Sequence, residues 1–103
     1  GIQLTRAAAD QFREFAAEHN DGTLLRLKVL RAEGGGYIYD ANTVASSDPD
    51  DAQFESHGVT VVVDPWSLDM LDGTILDWRT NARGEAGFFF DNPNADPMKS
   101  RSA

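Results

Sequence analysis

The stretch VTVVVDPWSLDML, residues 59–71, decides the fold. It opens with four valines and one threonine, β-branched residues that favour strands, and so dense an apolar run predicts a strand buried on both faces. Asp64 and Pro65 then begin a helix, because aspartate caps helix N-termini and proline suits the first helical position. The stretch predicts a buried strand followed at once by a short helix over 65–71.

Two further strands are predicted after this helix, TILDW at 74–78 and GFFFD at 87–91. Three consecutive phenylalanines are typical of buried structure. The segment RTNARGEA between the two strands is expected to be a polar loop, and the NPN that follows the second is rich in turn residues.

The residues before the central strand predict a hairpin. LLRLKVLR at 24–31 alternates apolar and charged residues, and YIYDANTV at 37–44 alternates again, with glycines 34–36 between them. SSDPDD at 46–51 is expected to be a solvated acidic turn. Further upstream, TRAAADQFREFAAEH at 5–19 carries one apolar stripe and predicts an amphipathic helix.

These elements give one helix, about four strands, a short helix and about two strands. We therefore expect an α+β fold with a mainly antiparallel or mixed sheet. Since the chain has 103 residues, a single domain over 1–95 is expected, followed by a flexible polar tail over 96–103.

Composition excludes several kinds of chemistry. The chain has no cysteine, which excludes disulfides, zinc–thiolate sites and cysteine-ligated clusters. No run of about 20 apolar residues could span a membrane, and no secretory signal pattern is present, so a cytoplasmic protein is expected. The net charge is −8, which opposes binding to nucleic acid.

Candidate ligand and catalytic residues are few. The glycine loop EGGGY matches no phosphate-binding motif. The two histidines, His19 and His57, are expected at a helix C-terminus and in a turn, since a zinc site needs three or four ligands. The acidic run (Asp48, Asp50, Asp51 and Glu55) lacks the glycine and terminal glutamate of a calcium loop. No serine lies in G-x-S-x-G, so no catalytic residue is predicted and we expect no enzyme.

Several motifs in combination resemble the A-type iron–sulfur carrier family, which comprises the IscA, SufA and HesB-like proteins. They are LRLKV at 25–29, the glycine loop, FESHGVTVVVDPWSLDMLDGTILDW at 54–78, and GFFFDNPNA at 87–95. The resemblance runs from about Leu4 to Ala95 and implies the HesB-like fold.

Members of that family hold a cluster with three cysteines, one in the glycine loop and two in a Cys-Gly-Cys near the C-terminus. The motifs align these cysteines with Gly34, Lys99 and Arg101. Clusters are held by thiolates, whereas glycine has no side chain and lysine and arginine are cations at neutral pH. The resemblance thus implies the scaffold without its ligands, and we expect neither cofactor nor metal.

We therefore expect a non-catalytic accessory, regulatory or interaction module with a protein partner. The cysteine-free pattern resembles that of an accessory protein of the dissimilatory sulfur-oxidation (Dsr) system of sulfur bacteria, and this resemblance implies a partner in that machinery. Two alternatives stay open: an iron carrier with carboxylate ligands, and a nucleic-acid-binding regulator acting through Lys99 and Arg101. A monomer is expected, since no shared cluster can bridge two subunits and like charges oppose association.

Overall fold

The computed structural model describes residues 1–20 and 22–95. The chain forms β1 (Gln3–Leu4), α1 (Arg6–His19), β2 (Leu24–Arg31), β3 (Tyr37–Val44), β4 (Ala52–Ser56), β5 (Val59–Val63), α2 (Pro65–Leu71), β6 (Ile75–Thr80) and β7 (Ala86–Asp91). The strands form a three-stranded sheet, β1-β6-β7, and a four-stranded sheet, β3-β2-β5-β4. The α+β class and both predicted helices are confirmed. The predicted tail, residues 96–103, lies outside the described residues.

The predicted hairpin is confirmed with its register. β2 pairs antiparallel with β3 from Leu24 opposite Val44 to Arg31 opposite Tyr37, and pairs parallel with the first half of β5. The inward residues of β2 are buried to 1% exposure or less (Leu25, Leu27 and Val29). Alternation along a strand thus places the apolar half of β2 in the core between the two sheets.

α1 is capped at both ends by the residues that flank it, Thr5 and Asn20. The Thr5 hydroxyl accepts a hydrogen bond from the amide of Ala8 at 3.1 Å, and Asn20 adopts a left-handed φ of 54° at the C-cap. His19 ends the helix, and its Nδ1 lies 3.1 Å from the carbonyl oxygen of Phe15. The helix buries Ala8, Ala9 and Phe12 against the sheets.

α2 begins where the pairing of β2 with β5 ends. The Asp64 carboxylate accepts from the Ser67 amide at 2.9 Å, and the Ser67 hydroxyl accepts from the buried amide of Val29 at 3.2 Å. Burial alone would raise the pKa of Asp64, but the Ser67 hydrogen bonds and the nearby charge of Lys28 hold it below its ordinary value. The helix start therefore satisfies an amide of β2 that β5 does not reach.

Three details differ from the sequence-based expectations. The two-residue strand β1 was not predicted; it pairs parallel with β6, Gln3 opposite Ile75. The expected polar loop over 79–86 is shorter, because β6 runs to Thr80 and β7 begins at Ala86. Phe89 is 44% exposed, since alternating side chains cannot all face the core.

No helix within the described residues is long and apolar enough to cross a bilayer.

Candidate functional site

The tip of the β2–β3 hairpin is built from glycine in left-handed conformations. Gly34, Gly35 and Gly36 have φ of 84°, 101° and 88°, which glycine adopts at little cost and other residues rarely do. The Ala32 amide donates to the Gly36 carbonyl at 2.9 Å and the Gly35 amide to the Ala32 carbonyl at 3.1 Å. A Cβ at Gly34 would meet no atom within 4 Å, so this position faces open space.

The C-terminal segment is fixed by the first asparagine of the NPN motif. The side-chain amide of Asn92 donates to the Met70 carbonyl at 2.8 Å and to the Tyr39 hydroxyl at 3.2 Å. The Ala95 amide then donates to the Asn92 carbonyl at 3.2 Å. The described chain therefore ends in a turn held between α2 and β3.

Aromatic rings join the base of the hairpin to the end of β7. Tyr39 stacks on Phe90 with ring centroids 4.5 Å apart and planes 11° from parallel, and Tyr37 meets Tyr39 edge-on at 6.1 Å. Pairs of this kind contribute about 0.5–1.5 kcal/mol beyond the area that they bury. These contacts connect β3, which follows the glycine loop, to the end of β7.

Of the three positions aligned with the family's cysteines, the described residues include one. Gly34 lies at the hairpin tip, whereas Lys99 and Arg101 lie outside the described residues.

The other candidate ligands do not converge. His19 ends α1, and His57 lies in the turn between β4 and β5 with φ 49°, as predicted for both. Across residues 1–20 and 22–95, no group of three or more histidine, aspartate or glutamate side chains could hold a metal ion.

In the acidic run, Asp48, Asp50 and Glu55 are exposed, as the sequence predicts, whereas Asp51 is not. The Asp51 side chain is 1% exposed and forms a bidentate pair with Arg26, at 2.5 and 3.2 Å. The Arg26 hydrogen bond is the main cause that lowers the pKa of Asp51, and a hydrogen bond from the Asp48 amide adds to it. The pair lies on the outer face of the four-stranded sheet, where Arg26 is in register with the fully buried Val62.

The chain matches the family model described as iron-sulphur cluster biosynthesis over residues 1–100. It is 42% identical over 93 residues to an iron-binding protein IscA of Escherichia coli K12, covering 90% of this chain and 86% of that protein. A crystal structure of IscA with a [2Fe-2S] cluster superimposes with a TM-score of 0.76 at 31% identity, covering 91% of this chain and 86% of that chain. For SufA of Escherichia coli the TM-score is 0.79 at 32% identity, with 90% and 81% covered.

The fold is that of the solved IscA and SufA structures. The chain belongs to the iron-sulphur cluster biosynthesis family, and the resemblance inferred from its motifs is confirmed at that level.

Sequence reasoning missed the side chains that build this end of the molecule. The alternation of Tyr37 and Tyr39 along β3 was visible but indicated only strand residues. The contacts of Asn92 and the Arg26–Asp51 pair join residues far apart in the chain, and nothing in one sequence indicates such pairings.

Proposed function

We propose that this protein is a non-catalytic interaction module that keeps the scaffold of an A-type carrier and has lost its cluster chemistry. The observation that carries the proposal is the absence of cysteine from the whole chain in a family whose name is cluster biosynthesis. A fold alone does not define a function; the residues of its site do.

The residues at the family's cluster position do not fit a cluster. Gly34 is open and without a side chain, and the two aligned tail positions are lysine and arginine, which repel a metal cation. The Asn92 side-chain amide and the Tyr39 hydroxyl, between β3 and the end of β7, already bond each other, and amide and phenol oxygens are poor ligands for a soft iron–sulfur centre. No step of cluster assembly or transfer is therefore assigned to this chain.

The partner that we propose belongs to sulfur oxidation. The cysteine-free pattern resembles DsrR, the accessory protein of the Dsr system, and the proposed role is regulatory or accessory, beside sulfite-reductase-type machinery. We further propose a cytoplasmic monomer that binds its partner as a protein, with neither membrane nor nucleic acid involved.

Reconstitution tests the loss of cluster chemistry. The purified protein is incubated with iron, sulfide and a thiol reductant beside IscA of Escherichia coli as the positive control, then desalted. We expect no bound iron or sulfide per chain and no visible absorption, whereas IscA should bind both. Stoichiometric cluster on this chain would overturn the proposal.

A ferrous-iron titration tests the carboxylate-carrier alternative, because binding tighter than micromolar would favour it.

Calorimetry with the purified Dsr sulfite reductase tests the proposed partner. A saturable heat of binding that persists at about 150 mM salt supports an accessory role, and no binding to any Dsr component would refute the sulfur-oxidation part of the proposal.

A further inference from the structure

A cleft of about 300 Å³ opens between the edge strands of the two sheets. β3 is an edge strand of the four-stranded sheet, and β7 is an edge strand of the three-stranded sheet. The lining comes from both strands and from α1 (Ala41, Thr43, Phe88, Phe12 and Phe15). Two positions away on each strand, Tyr39 stacks on Phe90. The cleft is thus a gap between two strand edges that this stack holds together.

The lining of the cleft is aromatic. Phe15 meets the ring of Phe88 edge-on, with centroids 6.1 Å apart, and the ring of His19 at 6.4 Å. Phe15 and Phe88 are only partly buried, so their rings contribute surface to the cleft. Its volume is at the lower end for sites that hold a small ligand, and aromatic rings favour edge-to-face or offset contact with another ring. The cleft therefore fits one aromatic side chain.

Backbone hydrogen bonds determine which groups of β3 point toward its free side. The Ala32 amide donates to the Gly36 carbonyl at the hairpin turn, and bonded pairs alternate along an antiparallel ladder. The even-numbered residues of β3 therefore bond β2, and the odd-numbered residues point away from it. The Val29 amide agrees with this pattern, because it points away from β3 and donates to a side chain of α2. Ala41 and Thr43 thus present both their amide and their carbonyl on the free side.

This free edge has little of the usual protection. Among residues 1–20 and 22–95, no hydrogen bond joins the outward amides and carbonyls of β3 to another part of the protein. Exposed edges are commonly protected by lysine, by proline, by a bulge or by shortness of the strand. β3 pairs with β2 through eight consecutive positions and contains neither lysine nor proline. Its edge is therefore open to a further strand.

We propose that a protein partner docks by adding an extended segment to the edge of β3, with one aromatic side chain of that segment in the cleft. In strand addition, main-chain hydrogen bonds supply affinity and side-chain pockets supply specificity. Alternate side chains of an added strand point to one face of the sheet, and on β3 this is the face of Ala41 and Thr43, which line the cleft. β7 contributes only Phe88 to the lining, so β3 is the strand that receives the segment.

The inference rests on the proposed function as an interaction module and identifies the surface that such a module would use. Failure of the two can be distinguished. Bound cluster after reconstitution would overturn the proposed function, whereas a peptide tests the docking surface. If no cluster forms and the peptide does not bind, the docking surface alone is overturned.

The probe is the acetylated and amidated peptide KTVFVTK, whose lysines complement the net charge of −8. We expect millimolar or tighter binding, with NOEs between the peptide's phenylalanine ring and the rings of Phe15 and Phe88. The bound peptide should slow hydrogen exchange of the Ala41 and Thr43 amides by at least about tenfold. KTVAVTK lacks the ring and should bind at least about tenfold more weakly.

Two substitutions of Thr43 separate strand addition from simple apolar binding. Thr43→Pro removes the outward amide but not the pairing with β2, since edge strands accept proline where the N–H faces away from the sheet. It should weaken peptide binding by at least about tenfold. Thr43→Val keeps the amide in a side chain of the same shape and should change the affinity by less than about threefold. Equal affinities of the two variants, or peptide contacts away from the cleft, would overturn the proposal.

The comparison of the two peptides uses the unchanged protein, so it decides the question even if Thr43→Pro does not fold. Equal binding of KTVFVTK and KTVAVTK would overturn the proposal. Protection of the Ala41 and Thr43 amides that rises with protein concentration in the absence of peptide would assign the edge to a second copy and overturn it equally.

Discussion

The hydroxyl of Ser56 bonds both backbone polar groups of Leu4. It accepts from the Leu4 amide at 3.0 Å and donates to the Leu4 carbonyl at 3.3 Å. β4 and β1 are edge strands of different sheets, so one side chain takes the place of the ladder bonds that two paired strands would form. Leu4 is 3% exposed, and its amide has little access to water as an alternative partner.

Replacing this serine should destabilise the fold. Ser56→Ala leaves a buried amide and carbonyl without that partner, which costs about 1–3 kcal/mol. Urea unfolding should show the midpoint lowered with the slope unchanged. Ser46→Ala, at an exposed serine, should change the free energy of unfolding by less than about 0.5 kcal/mol. Equal effects of the two substitutions would show that the Ser56 bridge contributes nothing.

Removing one partner of the Arg26–Asp51 ion pair should destabilise the protein more than removing both partners. Arg26→Met alone leaves the Asp51 carboxylate buried without its cation and should lower the free energy of unfolding by about 3–5 kcal/mol. The double variant Arg26→Met, Asp51→Leu removes both charges and should lose less than the single variant. A double variant as unstable as the sum of two single ones would contradict this coupling.

The same pair makes stability depend on pH at the acid end. The pKa of Asp51 is lowered in the folded protein, mainly by the Arg26 hydrogen bond. Its contribution is therefore complete above the ordinary aspartate pKa of about 3.9 and is lost as the pH falls through the folded value. We expect the stability difference between wild type and the double variant to be constant above about pH 5 and to change below about pH 4, measured by urea unfolding at each pH.

Restoring the thiols should restore some cluster binding. The triple variant Gly34→Cys, Lys99→Cys, Arg101→Cys should bind iron and sulfide on reconstitution, measured chemically per chain, if the loop and the tail converge. The left-handed φ of Gly34 should cost about 1–2 kcal/mol for a residue with a Cβ, although the added atom meets open space.

Gly84 provides the matched control, because its φ of 81° and its open surroundings are like those of Gly34, but it lies in the β6–β7 turn. Gly84→Cys with both tail cysteines should bind no more iron than wild type. If the two triple variants bind alike, the alignment of Gly34, Lys99 and Arg101 with the family's cysteines is wrong.

Gly22, which precedes β2, should tolerate substitution less well than Gly84 does. Its φ is 134°, and a Cβ there would overlap the carbonyl carbon and oxygen of Val44. Gly22→Ala should therefore destabilise by more than about 3 kcal/mol through backbone displacement. Gly84→Ala carries only conformational strain and should cost about 1 kcal/mol in thermal or urea unfolding. If Gly22→Ala lowers the free energy of unfolding no more than Gly84→Ala does, the β2–β3 hairpin can move to accommodate the added Cβ.

Local patterns predicted most of the fold. The cap at Asp64, the alternation of β2 and the valine run of β5 each depend on neighbours in the sequence, and each is confirmed. β1 has only two residues, so it has no period to detect, and its pairing with β6 joins distant parts of the chain. The exposure of Phe89 was not predictable either, because a run of identical apolar residues does not indicate which side chain faces solvent.

The position of the candidate site in the chain could be predicted only from the motifs that this sequence shares with the family. The motifs placed Gly34 in a glycine loop, and the loop is there with its left-handed residues. The connection of β3, which follows this loop, to the end of β7 depends on the Tyr39–Phe90 stack and on the Asn92–Tyr39 hydrogen bond, and both join residues more than 50 positions apart. Such contacts follow from the tertiary fold and have no local signature.

The parallel pairing of β1 with β6 has a consequence for how the chain folds in time. Gln3 pairs with Ile75, which is synthesised 72 residues later. The three-stranded sheet therefore cannot form until β6 has left the ribosome, and β1 stays unpaired until then. Long-range strand pairing of this kind also slows folding, because the entropy of closing a large loop is lost before the contacts form. We expect folding in milliseconds to seconds, with the β2–β3 hairpin formed before β1 docks.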